Sequence, residues 1–188
     1  MHEMTPGSSG SVVLGITSSA AAYKGVALAS LLRRSGFAVD GILTAPAMEL
    51  IGPAQLACVT GRMVHTSLFP AQPADPIPHI TLSESAVLAV VAPATAHFIA
   101  RMAHGLADDL LTSTILACEC PVVVAPSMNS RMWANPATRE NVEKLVSRGV
   151  RLAGPVTGAL ACGASGEGRM MEPVDIHAVC MEVLGMRV

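Results

Sequence analysis

Short runs of consecutive apolar residues alternate with amphipathic stretches along most of this chain. The apolar runs have the length of buried strands, and they lie at 11–16, 37–44, 86–92, 121–125 and 150–153. Helical periodicity and capping residues predict helices at 20–34, 48–60, 95–103, 108–117, 136–148 and 173–184. Strands that are apolar at every position are buried on both faces, as in a parallel sheet covered by helices. The pattern therefore predicts an α/β fold, a Rossmann-like (flavodoxin-like) three-layer sandwich with a parallel sheet.

The length of the chain and the even spacing of these elements indicate one domain. A chain of 188 residues suits a single well-buried core. No linker divides it, so we predict a flexible N-terminus at 1–10 and one domain at 11–188. The stretch at 69–78 is rich in proline and too long for an ordinary connector, so it is either functional or mobile.

The composition and charge of the chain predict its cellular location and exclude some classes of partner. Hydrophobic residues make up 51% of the chain and aromatic residues only 3%, so small aliphatic side chains form the core. The longest apolar run is too short to cross a bilayer, and the first residues lack the basic and apolar regions of a signal peptide. We therefore expect a cytoplasmic protein with no membrane partner. A net charge of −2 with scattered Lys and Arg argues against nucleic acid as a partner.

The cysteines do not have the spacing of a metal site. They stand at positions 58, 118, 120, 162 and 180, an odd number without zinc-ligand spacing. Cys118 and Cys120 are too close together for a zinc knuckle and fall at a predicted helix–strand junction. We therefore expect free thiols in a reducing compartment and no bound metal.

The turn after the first predicted strand combines small residues with hydroxyl groups. Gly15, Thr17, Ser18 and Ser19 lie before a helix N-terminus, where backbone N–H groups favour an anion. The segment has neither the dinucleotide fingerprint nor a Walker A loop, so a monophosphate such as that of FMN fits better than a diphosphate. Thr44, at the end of the second strand, offers a further hydroxyl to the same phosphate. An ordinary capped turn is the alternative interpretation.

Two other segments place small polar residues near the same edge of the predicted sheet. Pro93, Ala94 and Thr95 end another strand, and Thr112 and Ser113 stand near the start of the next helix. Each segment taken alone is more typical of helix capping than of binding. Because the carboxyl ends of parallel strands share one edge, where open α/β sheets bind ligands, the segments together predict a cofactor cleft.

The segment at 126–136, directly after a predicted strand, is the most unusual part of the chain. It contains Met128, Asn129 and the chain's only tryptophan. The Asn129 amide can donate to a carboxylate without carrying charge, and the imidazole of His79 is the side chain most often used as an acid–base group. Cys162 lies in a glycine-rich loop and is either a redox-active thiol or a packed one.

These residues together resemble the homo-oligomeric, FMN-containing cysteine decarboxylases. The resemblance extends over 12–176, and its most specific parts are His-Ile-Thr-Leu at 79–82 and Pro-Ser-Met-Asn at 126–129. Further matching segments lie at 15–24, 93–96 and 107–114. The family includes phosphopantothenoylcysteine decarboxylase and the enzymes that decarboxylate C-terminal cysteines of precursor peptides during lanthipeptide, linaridin and thioamide-peptide maturation.

The resemblance implies FMN as the cofactor and assigns roles to individual residues. His79 is the implied catalytic base, Asn129 the ligand of the substrate carboxylate and Cys162 a possible reductant. We expect substrate contacts from Met128, Asn129, Arg169 and Met170. We expect FMN contacts from Gly15, Thr17, Ser18, Ser19, Thr44, Pro93, Ala94, Thr95, Thr112 and Ser113. The family also implies a trimer or dodecamer with the site at subunit contacts, so that His79 and Asn129 meet across an interface.

The implied chemistry explains why a flavin is needed. A cysteine carboxylate cannot leave as CO2 unless an acceptor takes up its electrons. Oxidation of the neighbouring CH2–S⁻ group by FMN yields a thioaldehyde, which is such an acceptor, and loss of CO2 then gives an enethiolate. The protein's part is to position the substrate and to manage the proton.

The resemblance leaves two substrates open. The coenzyme A enzyme reduces its enethiol with the cysteine of an Ala-Cys-Gly segment, which 161–163 matches. Against it, the chain ends without room for a ligase domain, and the segments at 83–86 and 96–98 depart from the usual pattern. We therefore expect oxidative decarboxylation of the C-terminal cysteine of a precursor peptide, with phosphopantothenoylcysteine decarboxylation as the alternative. A non-catalytic, FMN-binding regulatory subunit ranks third, and a prenyl-FMN-making flavoprotein last.

Overall fold

A parallel sheet forms the centre of the computed structural model, which describes residues 10–69, 75–159, 161, 163 and 165–186. Its strands within these residues are β1 (Ser11–Ile16), β2 (Ala38–Leu43), β3 (Ala86–Ala94), β4 (Val122–Pro126) and β5 (Arg151–Leu152). The strand order is β2-β1-β3-β4-β5, and all pairings are parallel. The order reverses between β1 and β3, which is the flavodoxin-like arrangement.

Helices cover both faces of this sheet. They are α1 (Ala22–Arg34), α2 (Pro53–Thr60), α3 (Pro78–Ser85), α4 (Ala96–His104), α5 (Leu110–Ala117), α6 (Ser130–Trp133), α7 (Pro136–Ser147) and α8 (Pro173–Val183). Residues of α1, α2 and α8 pack on one face, and residues of α3, α4, α5 and α7 pack on the other. The predicted three-layer α/β sandwich is confirmed. None of the helices in the described ranges is both long and apolar enough to cross a membrane.

Side chains of β1 alternate between the two cores. Val12, Leu14 and Ile16 pack toward α1, whereas Val13 packs toward α5, and all four are fully buried. This alternation follows from the two-residue period of a strand. A strand covered on both faces must be apolar at every position, which is why the sequence pattern predicts it well.

Two predicted helices differ in detail. The helix expected at 48–60 is divided into a 3-10 turn at Ala45–Glu49 and the separate helix α2. The division falls at Pro53, because proline lacks the N–H needed inside a helix and is favoured in the first turn of a new one. The helix expected to start at Asp108 is capped by Asp109, whose side chain accepts a hydrogen bond from the N–H of Thr112.

The helices α3 and α6 and a β-hairpin were not predicted from the sequence. The segment treated as irregular up to residue 78 ends in α3, which contains His79 and packs against α5. Its Thr and Ser residues are weak helix formers, so intrinsic propensity does not reveal it. An antiparallel hairpin of β6 (Val156–Ala159) and β7 (Ser165–Arg169) stands apart from the main sheet. The predicted flexible N-terminus, except Gly10, and residues 70–74 lie outside the described residues.

Candidate active site

A cleft of about 670 Å³ opens at the carboxyl ends of β1, β3 and β4. This position is the point at which the strand order reverses, where open α/β sheets bind their ligands. We call it the main cleft. Its walls come from the β1–α1 turn, the start of α4, the segment from β4 into α6, and the β6–β7 hairpin. The predicted site residues among its lining are Ser18, Ser19, Thr95, Met128, Asn129, Arg169 and Met170.

Thr17 joins the ends of β1 and β3 at this edge. Its side-chain oxygen donates to the carbonyl of Pro93 at 2.9 Å and accepts from the N–H of Thr95 at 3.0 Å. Ala94 makes the corresponding link to β4, because its carbonyl accepts from the N–H of Ser127 at 3.0 Å. Thr17 is only 2% exposed, so its hydroxyl proton is engaged inside the protein. The predicted contacts of Thr17, Pro93 and Ala94 with FMN stay predictions.

The turn after β1 presents hydroxyl groups to the main cleft. The side-chain oxygens of Ser19 and Ser127 lie 2.8 Å apart, and the Ser19 oxygen accepts from the N–H of Ala21. Ser18 is exposed at the cleft surface. α1 begins at Ala22 with Ala21 as its N-cap, so Ser18 and Ser19 precede the helix and do not cap it. The helix N-terminus nevertheless lies beside the cleft, where it favours an anion.

The β6–β7 hairpin closes one side of the main cleft. The N–H of Met128 donates to the carbonyl of Gly168 at 3.0 Å. Gly168 has a φ of +135°, and a Cβ there would lie well inside van der Waals contact with the carbonyl oxygen of Met128. Only glycine therefore permits this approach. The contact brings Arg169 and Met170 to the same cleft as Met128 and Asn129, although about 40 residues separate the two pairs.

Asn129 precedes α6 as its N-cap. Its side-chain oxygen accepts a hydrogen bond from the N–H of Arg131 at 2.9 Å, which orients the amide. Because the oxygen faces the helix, the NH2 end of the amide is the end suited to a carboxylate. The placement agrees with the role expected for Asn129, which remains a prediction.

Two cations line the main cleft, and one carboxylate holds them. The Lys24 ammonium, nearly buried, donates to Oε1 of Glu172 at 2.8 Å, and Arg169 donates to the same oxygen at 2.6 Å. The hydrogen bond from Lys24, followed by that from Arg169, lowers the pKa of Glu172. None of the described residues that line the cleft carries a carboxylate. The cleft therefore suits an anionic ligand.

Sequence reasoning did not single out Lys24, Tyr23, Ser127 or Met132, all of which line the main cleft. A signal for Lys24 was present, because it lies four residues before Leu28 on the buried stripe of α1. A lysine on such a stripe requires a polar partner. Nothing in the sequence indicates Ser127, since its partner Ser19 is 108 residues away.

His79 lies in the first turn of α3 and is not part of the main-cleft lining. Its Nδ1 atom is buried and has no hydrogen-bond partner in the part of the chain that the structure describes. α3 packs against α5 and β1. A single chain therefore does not bring His79 together with Asn129.

Three of the predicted cofactor residues also lie away from the main cleft. Thr44 lines a second cavity of about 290 Å³ at the carboxyl end of β2. The Thr112 hydroxyl is buried, donates to the Asp109 carboxylate at 2.8 Å and accepts from Arg101 at 3.0 Å. Ser113 donates its hydroxyl to a backbone carbonyl at 3.1 Å. Their contacts with FMN stay predictions.

Gly15 has a packing role that the sequence did not indicate. It is buried within β1, and a Cβ there would lie inside van der Waals contact with the side chain of Leu111. The close approach of α5 to β1 therefore requires glycine at this position. A contact of Gly15 with FMN stays a prediction. Cys162 lies outside the described residues, although its neighbour Ala161 lines the main cleft.

Comparison with known proteins identifies the family. The model of the Flavoprotein family matches residues 2–185. This chain belongs to the Flavoprotein family. The predicted family and its flavin cofactor are thereby confirmed. The main cleft of this flavoprotein fits a flavin phosphate, because hydroxyl groups, a helix N-terminus and two cations meet there without a lining carboxylate among the described residues.

Relatives of this flavoprotein include enzymes of coenzyme A biosynthesis. The bifunctional protein CoaBC of Vibrio vulnificus is 43% identical over 169 residues, which cover 90% of this chain and 42% of that protein. CoaBC of Haemophilus influenzae is 41% identical over 176 residues, 94% of this chain and 44% of that protein. The chain thus spans about two fifths of the length of the curated relatives it matches.

Solved structures with the same fold include decarboxylases of two kinds. The FMN-dependent cysteine decarboxylase SpaF is 31% identical, with a TM-score of 0.79 over 94% of this chain and 98% of its own. A PPC decarboxylase mutant complexed with pantothenoylaminoethenethiol is 29% identical, with a TM-score of 0.82 over the same shares.

Proposed function

We propose that this protein is an FMN-dependent decarboxylase that acts on 4′-phosphopantothenoylcysteine. FMN is the cofactor, and the observation that carries the choice of substrate is the 43% identity to CoaBC across 90% of the chain. The sequence analysis favoured a peptide substrate and kept phosphopantothenoylcysteine as the alternative. The relatives support phosphopantothenoylcysteine better. A cytoplasmic location remains a prediction.

The departures from the family pattern that favoured a peptide lie largely outside the main cleft. Ser83 is buried in α3, Phe98 is buried in the core, and His97 is exposed on α4. None of these three side chains lines the cleft. Ser83 and Phe98 therefore bear on packing within one chain.

The charge of the main cleft supports a substrate with two anionic groups. Phosphopantothenoylcysteine carries a phosphate at one end and a carboxylate at the other. Lys24 and Arg169 both line the cleft, and Glu172, which holds them, is not part of the lining. Arg169 is the side chain that we assign to an anionic group of the substrate, because its fork of donors matches phosphate and carboxylate oxygens.

Asn129 and the two methionines position the substrate in this proposal. Bound FMN would supply a two-electron oxidation at the carbon that carries the substrate sulfur, which would make loss of CO2 possible. Asn129 holds the carboxylate through its NH2 group and fixes its orientation. Met128 and Met170 line the cleft beside it and exclude water from the reacting carboxylate.

His79 completes the site from a second subunit in this proposal, where it takes the proton of the substrate thiol. The support is its position outside the main cleft of its own chain, which keeps it apart from Asn129. A homo-oligomer, trimer or dodecamer, would bring His79 to the main cleft of a neighbouring subunit. Cys162, in its Ala-Cys-Gly segment, is likewise proposed to donate the proton in the final reduction, for which the reduced flavin would return the two electrons.

Subunit complementation tests the shared site. His79→Asn and Asn129→Ala should each bind FMN but lack decarboxylase activity. Co-expression of the two should restore about one quarter of the wild-type activity, because random assembly pairs an intact His79 with an intact Asn129 in that fraction of sites. His104→Asn is the matched control and should stay fully active, since His104 is exposed and contacts Asn141. Co-assembled variants as inactive as either alone would refute a site shared between subunits.

Mass spectrometry of the products tests the substrate. The FMN-loaded protein is incubated with 4′-phosphopantothenoylcysteine, and we expect a product that lacks only CO2. Cys162→Ser should then release a product that lacks CO2 and two hydrogens, because the final reduction stops. No product from a flavin-loaded protein would overturn the proposed substrate.

A peptide ending in cysteine is the second candidate substrate. The likeness to SpaF, at 31% identity over nearly the full length of both chains, favours it. Incubation with synthetic peptides that end in cysteine distinguishes the two candidates. Turnover of the peptides at a higher kcat/KM than that of phosphopantothenoylcysteine would replace the first proposal by this one.

A further inference from the structure

Two cysteines outside the active site lie side by side at the junction of α5 and β4. Cys118 directly follows α5 as its C-cap, and Cys120 stands two residues before Val122, where β4 begins. This junction is at the amino end of β4, whereas the main cleft opens at the carboxyl end. The pair therefore belongs to a different edge of the sheet.

The two thiols are separated by one residue along the chain and pack against the same core cluster, where they interact. The thiol of Cys118 donates a hydrogen bond to the sulfur of Cys120, which raises the pKa of Cys118 and lowers the pKa of Cys120. Both side chains are half-buried against the core on the α5 side. Cys120 is therefore the nucleophile of the pair and Cys118 the thiol that follows it.

The other described cysteines lack such a neighbour. Cys58 is exposed on α2, and Cys180 is fully buried in α8, where burial raises its pKa to about 12. Neither thiol has a second cysteine two residues away. They serve as internal references for the behaviour of isolated thiols in the same protein.

We propose that Cys118 and Cys120 form a reversible intramolecular disulfide by exchange with small-molecule disulfides. Consecutive Cα atoms lie about 3.8 Å apart, so those of Cys118 and Cys120 are separated by at most about 7 Å. Disulfides join Cα atoms that lie about 4.4–6.8 Å apart, so a small adjustment of the junction suffices. The ring encloses one residue and removes little entropy from the unfolded chain, which makes the bond a redox modification and not a structural brace.

The exchange balances in two steps. The Cys120 thiolate attacks one sulfur of a disulfide RSSR, forms a mixed disulfide and releases RS⁻. The Cys118 thiol then loses its proton, and its sulfur attacks the Cys120 sulfur and releases the second RS⁻. Two protein thiols are oxidised, and RSSR is reduced to two RSH. Excess RSH reverses both steps.

Peptide mapping of the FMN-loaded protein tests the proposal. The protein is exposed to hydroxyethyl disulfide, free thiols are trapped with iodoacetamide, and trypsin then releases residues 102–131, which contain Cys118 and Cys120 and no other cysteine. We expect this peptide to lose two hydrogens and to carry no alkyl group. Added mercaptoethanol should restore two alkylation sites.

Matched serine variants test the intramolecular step. Cys118→Ser and Cys120→Ser should each carry one stable mixed disulfide on the peptide, because the second thiol of the pair is missing. Cys58→Ser should leave the peptide's behaviour unchanged. Two separate adducts on the wild-type peptide, or full alkylation after exposure to excess disulfide, would each overturn the proposal.

Discussion

Replacement of Thr17 by valine tests whether the link between β1 and β3 holds the main cleft together. Thr17 and valine have nearly the same shape, so the change removes a hydroxyl without leaving a cavity. In the wild-type protein this hydroxyl donates to the carbonyl of Pro93 and accepts from the N–H of Thr95. Both partners are backbone groups at the point where the strand order reverses.

The expected loss follows from the groups left without partners. The Pro93 carbonyl keeps one bond, because the N–H of Thr17 also donates to it at 3.2 Å. The N–H of Thr95 loses the only partner that the structure shows for it. Each of the two lost hydrogen bonds contributes about 0.5–1.5 kcal/mol net, so the free energy of unfolding should fall by about 1–3 kcal/mol in total. FMN should also bind more weakly, because Thr95 lines the cleft.

Urea unfolding of the apoprotein measures this loss, and titration with FMN measures the affinity. Thr17→Ser is the matched control, since it keeps the hydroxyl and should lose only about 0.8 kcal/mol for the missing methyl group. A valine variant within about 0.5 kcal/mol of wild type, or a serine variant as unstable as the valine variant, would show that the two hydrogen bonds do not support the cleft.

Three further predictions concern packing and charge around the same site. Gly15→Ala should lower the free energy of unfolding by about 1–3 kcal/mol, because its Cβ overlaps with Leu111. The double variant Gly15→Ala/Leu111→Ala should be more stable than the sum of the two single changes predicts. Additive free energies of urea unfolding would contradict this packing. Gly168→Ala should keep FMN but raise the KM for the substrate about tenfold or more, because its Cβ drives the hairpin off Met128. The control is Gly149→Ala, which is also at positive φ but in open space and should leave this KM unchanged. Equal effects of the two changes on KM would argue against the clash. Glu172 has a lowered pKa in the folded protein, so its contribution to stability is present above its ordinary pKa of 4.5 and is lost as the pH falls through the folded value. Glu172→Gln should therefore weaken the loss of stability at acidic pH, measured as urea midpoints at falling pH. An unchanged loss would show that the bonds of Glu172 to Lys24 and Arg169 do not stabilise the folded protein.

The candidate site shows which functional residues local sequence patterns reveal and which they miss. The sequence analysis assigned Ser18, Ser19, Thr95, Met128, Asn129, Arg169 and Met170 to one site, and the structure places all of them around the main cleft. It did not use the position of Lys24 on the buried stripe of α1, and it had no means of finding the Glu172 carboxylate that compensates this burial, 148 residues away. It also grouped Thr44, Thr112 and Ser113 with the site, although within one chain these residues lie elsewhere.

The sequence by itself determined the layered α/β fold and the edge at which the cleft opens. Parallel strands buried on both faces must be apolar at consecutive positions, and their carboxyl ends must share one edge, so a local pattern carries this information. The tertiary structure alone decided that Gly15 makes room for Leu111, that Gly168 makes room for Met128 and that His79 lies on a helix outside the main cleft. Such contacts join residues far apart in the chain, and they depend on how helices pack against the sheet, which no local pattern encodes.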